Sequence, residues 1–174
     1  FLGWNPGTTK EIFKKEDLID VFSLERVSKS GAKFDFEKAK WFNQQYIKET
    51  PAEDLLETLR SDFSEAGITK DDEFLKKYIS LFIDRVTFIK EFISVGYYIF
   101  DKPKEYNEAQ FNKRWTKDGI PTSFDTILSD LSSIADWKAT NIEAVIKNVM
   151  ETNSFKPGEI MPVFRIMISG EAGG

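Results

Sequence analysis

The chain has 174 residues, of which 41% are hydrophobic and 30% charged, and its net charge at pH 7 is −5. It contains no cysteine and no histidine, which excludes disulfides, thiolate metal sites, histidine zinc ligands and every catalytic arrangement that uses a histidine base. A chain of 174 residues is expected to form one folded domain or two small ones. No apolar run approaches the ~18 residues of a membrane-spanning helix.

Motifs for phosphate, dinucleotide or calcium binding are also absent. The sequence has no G-x-x-x-x-G-K-[ST] loop, no G-x-G-x-x-G turn and no D-x-[DN]-x-[DN]-G loop. A metal site built from carboxylates alone stays possible on composition. Without these motifs and without histidine, however, we expect no metal site and no independent active site in this chain.

The segment 24–48 concentrates basic and aromatic side chains. It holds six basic residues against three acidic ones, together with five aromatic residues. Basic groups interleaved with aromatic ones are typical of a surface that contacts nucleic-acid backbone. The alternative is a solvated amphipathic helix with an aromatic core face. Trp41 is a candidate platform for base stacking, but we predict that it lies in the core.

Helical periodicity dominates the rest of the chain. Residues 50–53 are predicted to form a capping box that starts a helix, and Gly67 is predicted to end it. A second helix is predicted to start at residues 69–72, with an apolar stripe that continues to Ile93. Tyr97–Phe100 is interpreted as a helix end, because no alternating pattern is long enough to indicate a strand.

The C-terminal third continues in the same way. Helices are predicted to start at Thr122 and Thr140, and a last apolar stripe runs from Ile160 to Ile168. The periodicity therefore predicts an all-α domain of about eight helices, arranged as a bundle by the packing of apolar stripes.

Six short motifs occur in an order that resembles the C-terminal half of bacterial glutamyl-tRNA synthetases. They are Leu2-Gly3-Trp4, Glu11-Ile12-Phe13, residues 22–30, Phe34-Asp35, residues 41–47 and residues 162–170. The resemblance spans essentially the whole chain and is densest over the first 50 residues.

This resemblance implies the helical cage that class I synthetases use to bind anticodons. Residues 1–50 would be the end of the region that contacts the tRNA stem, and residues 51–174 the anticodon-binding region, with its C-terminal segment truncated. The family attaches glutamate to its tRNA with ATP and Mg²⁺ in a separate catalytic domain. We therefore expect a cytoplasmic, monomeric tRNA(Glu)-binding part of a ligase that has no cofactor, no membrane contact and no catalytic residue of its own.

The two catalytic signatures of the family are not found. A chain without histidine cannot contain the HIGH-type motif. Residues 27–30 resemble the KMSKS-type loop, but they lie downstream of Leu2-Gly3-Trp4, whereas the family's catalytic loop lies upstream. The resemblance therefore predicts that the chain alone is inactive.

Two arginines match positions near the family's anticodon site. Arg85 corresponds to an arginine that reads the third anticodon base, which is cytosine in glutamate tRNA and guanine in glutamine tRNA. The alternative is a surface arginine paired with Asp84, Glu91 or another acid. Arg165 is predicted to contact the first anticodon base or its phosphate, and the alternative there is a solvated arginine that favours the helix dipole.

Contacts with the tRNA backbone are predicted for the basic segment. The candidates are Arg26, Ser28, Lys29, Ser30, Lys33 and Lys40. Such contacts position an RNA and specify little of its sequence. Asn43 and Gln44 could touch a sugar or bind neighbouring protein backbone, and the sequence leaves both readings open.

Three functions compete at this point. The first is RNA recognition within a glutamate–tRNA ligase, and the second is a helical interaction module whose basic patch binds an acidic partner. The third, an enzyme that works with carboxylates alone, is the weakest, because no spacing pairs two acids in an apolar setting.

Overall fold

The computed structural model describes residues 3–173, and this part of the chain is helical without a strand. It contains eight α-helices: α1 Lys15–Val21, α2 Phe36–Glu49, α3 Ala52–Glu65, α4 Asp72–Phe82, α5 Glu108–Trp115, α6 Ile120–Ser132, α7 Ala139–Thr152 and α8 Pro157–Ser169. Three 3₁₀ helices cover Leu24–Arg26, Ile89–Ile93 and Tyr97–Ile99. The all-α prediction is confirmed.

The chain divides into two compact units, one up to Val95 and one from Gly96. The predicted division at residues 50 and 51 is a division of function, and it stays a prediction. Residues 1, 2 and 174 lie outside the described range. They include Leu2 of the first motif, the start of the predicted region 1–50 and the end of the predicted region 51–174. Within that range, no helix is long and apolar enough to cross a membrane.

The core of the N-terminal unit forms where α3 packs on α4. The buried side chains of these two helices recur at helical spacing, so each helix turns one apolar face to the other. They are Leu55, Leu56, Leu59 and Phe63 of α3, and Leu75, Tyr78, Ile79 and Phe82 of α4. The Tyr78 hydroxyl donates a 2.6 Å hydrogen bond to the carbonyl of Phe92, which ties the following 3₁₀ helix to this core.

Helix α4 is shorter than predicted. It begins after Asp71, whose side chain accepts a 2.8 Å hydrogen bond from the Phe74 amide, and it ends at Phe82. Val86 and Phe92 are nevertheless fully buried, at 0% exposure. The apolar spacing therefore identified the buried residues, but a turn and a 3₁₀ helix, not one continuous helix, carry them into the core.

Helix starts were predicted less well than helix faces. Thr50 does not cap α3, because its hydroxyl donates to the Tyr46 carbonyl at 2.7 Å and Pro51 is the N-cap. Helix α6 starts after Gly119 and α7 after Lys138, so the predicted caps at Thr122 and Thr140 are wrong. The stop at Gly67 is confirmed: its φ is +74°, and Ile68 N–H bonds back to the Phe63 carbonyl at 2.9 Å.

The C-terminal unit has a second core built by α6, α7 and α8. Its buried members are Ile120, Phe124, Ile127, Val149, Ile160 and Val163. Aromatic rings extend this core outward: Trp115 stacks on Phe111 at 5.0 Å between centroids, and Phe164 lies 5.1 Å from Phe124. The result is a small helical unit with its own hydrophobic centre.

Candidate nucleic-acid interface

Arg85 lies on the turn between α4 and the 3₁₀ helix Ile89–Ile93. The turn begins where the Arg85 amide donates a 2.8 Å hydrogen bond to the Phe82 carbonyl. The guanidinium carbon lies 5.7 Å from the centroid of the Phe82 ring, within the range of a cation–π contact. Because the Phe82 ring is buried and the Arg85 side chain is exposed, the ring supports the guanidinium from the protein side.

The carboxylates nearest to Arg85 in sequence are bound to other groups. Asp84 forms an ion pair with Lys48 at 2.9 Å, and Glu91 accepts hydrogen bonds from the amides of Thr87 at 2.7 Å and Phe88 at 3.2 Å. Among residues 3–173, no carboxylate lies within 4.0 Å of the Arg85 guanidinium. The alternative of pairing with Asp84 or Glu91 is therefore wrong, and the donors of Arg85 are available to a ligand.

Two side chains of helix α2 bind the backbone of this turn. The side-chain amide of Asn43 donates a hydrogen bond to the Thr87 carbonyl. The side-chain amide of Gln44 lies 3.4 Å from the carbonyls of both Asp84 and Val86. The question left open by the sequence is thereby answered: these amides bind protein backbone.

The candidates for backbone contact lie in the N-terminal unit, and their side chains are exposed, except that Lys40 is half-buried. The Arg26 guanidinium donates to the Pro6 carbonyl, and the hydroxyls of Ser28 and Ser30 are 2.8 Å apart. Lys40 pairs with Glu37 at 2.9 Å and lies 4.7 Å from the centroid of the Phe36 ring.

A groove of about 1150 Å³ brings three of these candidates together. Its lining includes Arg26, Ser28 and Lys33, whereas Lys29, Ser30 and Lys40 lie outside it. Five aromatic and two further basic residues share the lining: Trp4, Phe13, Phe22, Phe42, Tyr46, Lys10 and Lys38. The acidic residues Glu11 and Asp35 also line it, so the four basic residues of the lining outnumber the acidic ones by two. An excess of basic groups beside aromatic faces suits a nucleic acid.

Two lysines of this groove were not predicted as site residues. Lys10 lies outside the basic segment 24–48 and pairs with Asp17 at 3.1 Å, and Lys38 pairs with Glu11. No ion-pair partner lies within 4.0 Å of Lys33 in the described part of the chain. For Lys10, the only signal in the sequence was its position close to the aromatic Phe13.

Trp41 does not lie in the core, contrary to the prediction. Its side chain is 41% exposed and meets Phe42 edge to face at 5.1 Å between centroids. The only fully buried residue of α2 is Ile47, so the helix covers the core near its C-terminal end and leaves its N-terminal aromatic residues exposed.

Arg165 is exposed on α8, between the buried Val163 and Ile166. It precedes the last turn of the helix, which contains no basic residue, so its contribution to the helix dipole is small. Arg85 belongs to the N-terminal unit and Arg165 to the C-terminal unit.

The end of α8 is held by a hydrogen-bonded corner. The Tyr97 hydroxyl donates a hydrogen bond to the Ser169 carbonyl at 2.7 Å, and the backbone amide of Asn107 donates one to the Gly170 carbonyl at 2.8 Å. Gly170 has a φ of +80°, and a Cβ there would lie 2.5 Å from the Glu105 carbonyl oxygen. Glycine is therefore required where the chain leaves the helix that carries Arg165.

Beside the candidate Arg26, hydrogen bonds from the Glu25 backbone amide and then from the Ser23 hydroxyl lower the pKa of the Glu25 carboxyl. Other lowered pKa values belong to carboxyls outside the basic segment. Two hydrogen bonds from Arg60, at 2.8 and 3.1 Å, lower the pKa of Asp72. A hydrogen bond from Lys117, followed by one from the Lys156 amide, lowers the pKa of Glu159. Across residues 3–173, no three acidic side chains gather in a group that could hold a metal ion.

Comparison with known proteins identifies relatives of the whole chain. Residues 36–174 match the family described as anticodon binding domain. The chain is 36% identical over 173 residues to a glutamate–tRNA ligase of Flavobacterium johnsoniae and 37% identical to one of Porphyromonas gingivalis, with 99% of the chain covered in each case.

The fold is also that of a solved relative. A glutamate tRNA ligase from Elizabethkingia meningosepticum, solved in complex with its amino acid, matches 99% of the chain with a TM-score of 0.85 and 33% identity. In all three cases, this chain spans about a third of the relative's length, 34%. The resemblance read from the sequence is confirmed.

Proposed function

Because the chain belongs to the anticodon binding domain family, we propose that it is the tRNA-contacting, anticodon-recognising part of a glutamate–tRNA ligase. The match over residues 36–174 carries this proposal. The exposed Arg85 guanidinium, free of any carboxylate within residues 3–173, supplies the chemistry that the proposal needs.

Arg85 reads the third anticodon base. Cytosine presents two acceptors, O2 and N3, on its Watson–Crick edge, and a guanidinium only donates. Guanine presents donors at N1 and N2 on the same edge, so only its O6 is left to accept from the arginine. Glutamate tRNA, with cytosine, is therefore favoured over glutamine tRNA, with guanine.

Arg165 is proposed to contact the first anticodon base or its phosphate. Its exposed side chain has no ion-pair partner within 4.0 Å in the described residues. The buried neighbours Val163 and Ile166 fix the helix face on which it stands.

The basic segment positions the tRNA stem. Lys29 and Lys33 are exposed and lie more than 4.0 Å from every described carboxylate, so each can neutralise a phosphate without first breaking an ion pair. Arg26, Ser28, Ser30 and Lys40 add contacts with the tRNA backbone. Such contacts contribute affinity and little sequence discrimination.

Bond formation belongs to another part of the ligase. We assign the activation of glutamate with ATP and Mg²⁺ to the two thirds of the relatives that this chain does not match. The chain alone is then a tRNA-binding module without catalytic activity, and the working ligase is a cytoplasmic monomer.

Binding of tRNA to the 174-residue chain tests the proposal. Fluorescence anisotropy with a labelled glutamate tRNA and a variant carrying guanine at the third anticodon position should give a lower Kd for the cytosine form. Affinity should fall by roughly 0.7–0.9 log units per phosphate contact for each tenfold rise in salt. Equal affinity for both RNAs would contradict base reading. If a polyglutamate peptide displaced the labelled tRNA as effectively as unlabelled tRNA does, an acidic protein partner would be favoured instead.

A further inference from the structure

The turn that presents Arg85 has almost no hydrogen bonds of its own. Between Phe82 and Phe88, the one local backbone bond joins the Arg85 amide to the Phe82 carbonyl. Backbone polar groups outside a helix need other partners, and a turn without them samples several conformations. The position of the Arg85 side chain therefore depends on groups that lie elsewhere in the N-terminal unit.

Those groups come from two elements. Helix α2 provides donors for the carbonyls of the turn: Asn43 to Thr87, and Gln44 at 3.4 Å to both Asp84 and Val86. Glu91 provides an acceptor for the amides that close the turn. The turn is thus held by two side-chain amides of α2 and by the Glu91 carboxylate.

We infer that Asn43 is a positioning residue for Arg85, which sets the discrimination of the third anticodon base without touching the RNA. The inference rests on the proposed function of Arg85. Asn43 suits the role because its side chain is short, its amide donates to a carbonyl, and α2 is itself anchored by the buried Ile47 one turn later. Gln44 assists through its two longer contacts.

The neighbouring Gln45 provides a matched control. It is the same type of side chain on the same helix, it is half-buried, and it has no hydrogen bond within the described residues. Truncating it removes an amide from α2 without releasing the turn. A difference between Asn43→Ala and Gln45→Ala therefore isolates the contact with Thr87.

The experiment is a double-mutant cycle on the full 174-residue chain. Kd is measured for glutamate tRNA and for its variant with guanine at the third anticodon position, in the wild type, Asn43→Ala, Arg85→Ala, the double variant and Gln45→Ala. Discrimination is the Kd for the guanine variant divided by the Kd for glutamate tRNA. We expect Asn43→Ala to lower this ratio by about 3- to 30-fold and Gln45→Ala to leave it unchanged. The double variant should have the same ratio as Arg85→Ala.

A second readout does not depend on RNA. Hydrogen exchange of the backbone amides of residues 85–88 should be faster in Asn43→Ala than in Gln45→Ala, while the amides of α3 keep their protection. This pattern would locate the effect in the turn. If circular dichroism shows that Asn43→Ala does not fold, Gln44→Ala takes its place in the cycle. Gln44→Ala removes the contacts with two carbonyls of the same turn.

The outcomes separate the two ideas. If Arg85→Ala lowers the ratio and Asn43→Ala does not, the positioning role is wrong and the proposed function stands. If Asn43→Ala lowers the ratio equally with and without Arg85, Asn43 acts independently of that arginine and the inference is also wrong. If Arg85→Ala itself leaves the ratio unchanged, base reading by Arg85 fails.

Discussion

Three glycines that differ in backbone φ and in the space around the α-carbon allow the corner at the end of α8 to be tested quantitatively. In Gly170→Ala the new Cβ would lie 2.5 Å from the backbone oxygen of Glu105, at a residue with a φ of +80°. Gly67→Ala has a similar φ of +74° with nothing within 4 Å, and Gly158→Ala, inside α8, has open space and no positive φ.

The expected costs follow from these geometries. A left-handed residue with a Cβ costs about 1–2 kcal/mol, which is all that Gly67→Ala should lose. Gly170→Ala adds an overpacking cost of about 1–3 kcal/mol, because the atom in the way is backbone and cannot rotate aside. Gly158→Ala should instead be stabilising by about 0.4–1 kcal/mol, since alanine restricts the unfolded chain and suits a helix.

Urea unfolding followed by circular dichroism measures all three variants. The reasoning requires Gly170→Ala to be less stable than Gly67→Ala by about 1–3 kcal/mol and Gly158→Ala to be at least as stable as the wild type. Equal losses for Gly170→Ala and Gly67→Ala would refute the steric argument. Amide exchange in α8 should also accelerate in Gly170→Ala, because its displaced carbonyl weakens the bond from Asn107.

Three further outcomes are expected. Arg85→Gln should cost ~1–3 kcal/mol in binding of glutamate tRNA and much less for the guanine variant; equal losses in the two Kd values would contradict base reading. Lys29→Ala and Lys33→Ala should weaken all tRNAs alike and each reduce the salt slope by about 1, whereas a loss confined to one tRNA species would exclude a backbone role. Because hydrogen bonds from Arg60 lower the pKa of Asp72 in the folded state, their stabilisation is present above the ordinary aspartate pKa and is lost as pH falls through the lowered value. The free energy of unfolding, measured with urea, should therefore fall less steeply with decreasing pH in Asp72→Asn than in the wild type. Identical profiles would show that the pair of Arg60 and Asp72 does not contribute to stability.

Most of the fold follows from apolar spacing. Leu59 and Ile79 sit at predicted core positions and have no exposed area, because a 3.6-residue period alone determines which side of a helix is apolar. Helix ends follow less well, since a cap depends on local backbone angles that several neighbouring residues can satisfy. Thr50 shows this: its hydroxyl had two possible partners, and it bonds back to the preceding helix.

The candidate residues of the interface were predictable, but their surroundings were not. Motif order pointed to Arg85, and composition pointed to the basic segment. Trp41 was placed in the core because aromatic residues usually are, and only the packing of α2 shows that its N-terminal half stays exposed. Lys10 was missed because the groove joins it to residues far along the chain.

The sequence by itself determined the class of fold, the faces of the main helices, the family and the absence of histidine and cysteine chemistry. Only the tertiary structure decided where α4 ends, that Asp84 and Glu91 bind groups other than Arg85, and which side-chain amides bind the turn that carries Arg85. The physical reason is range. Helical periodicity and composition act within a few residues, whereas the contact of Asn43 with Thr87 joins positions 44 residues apart, and no local pattern encodes it.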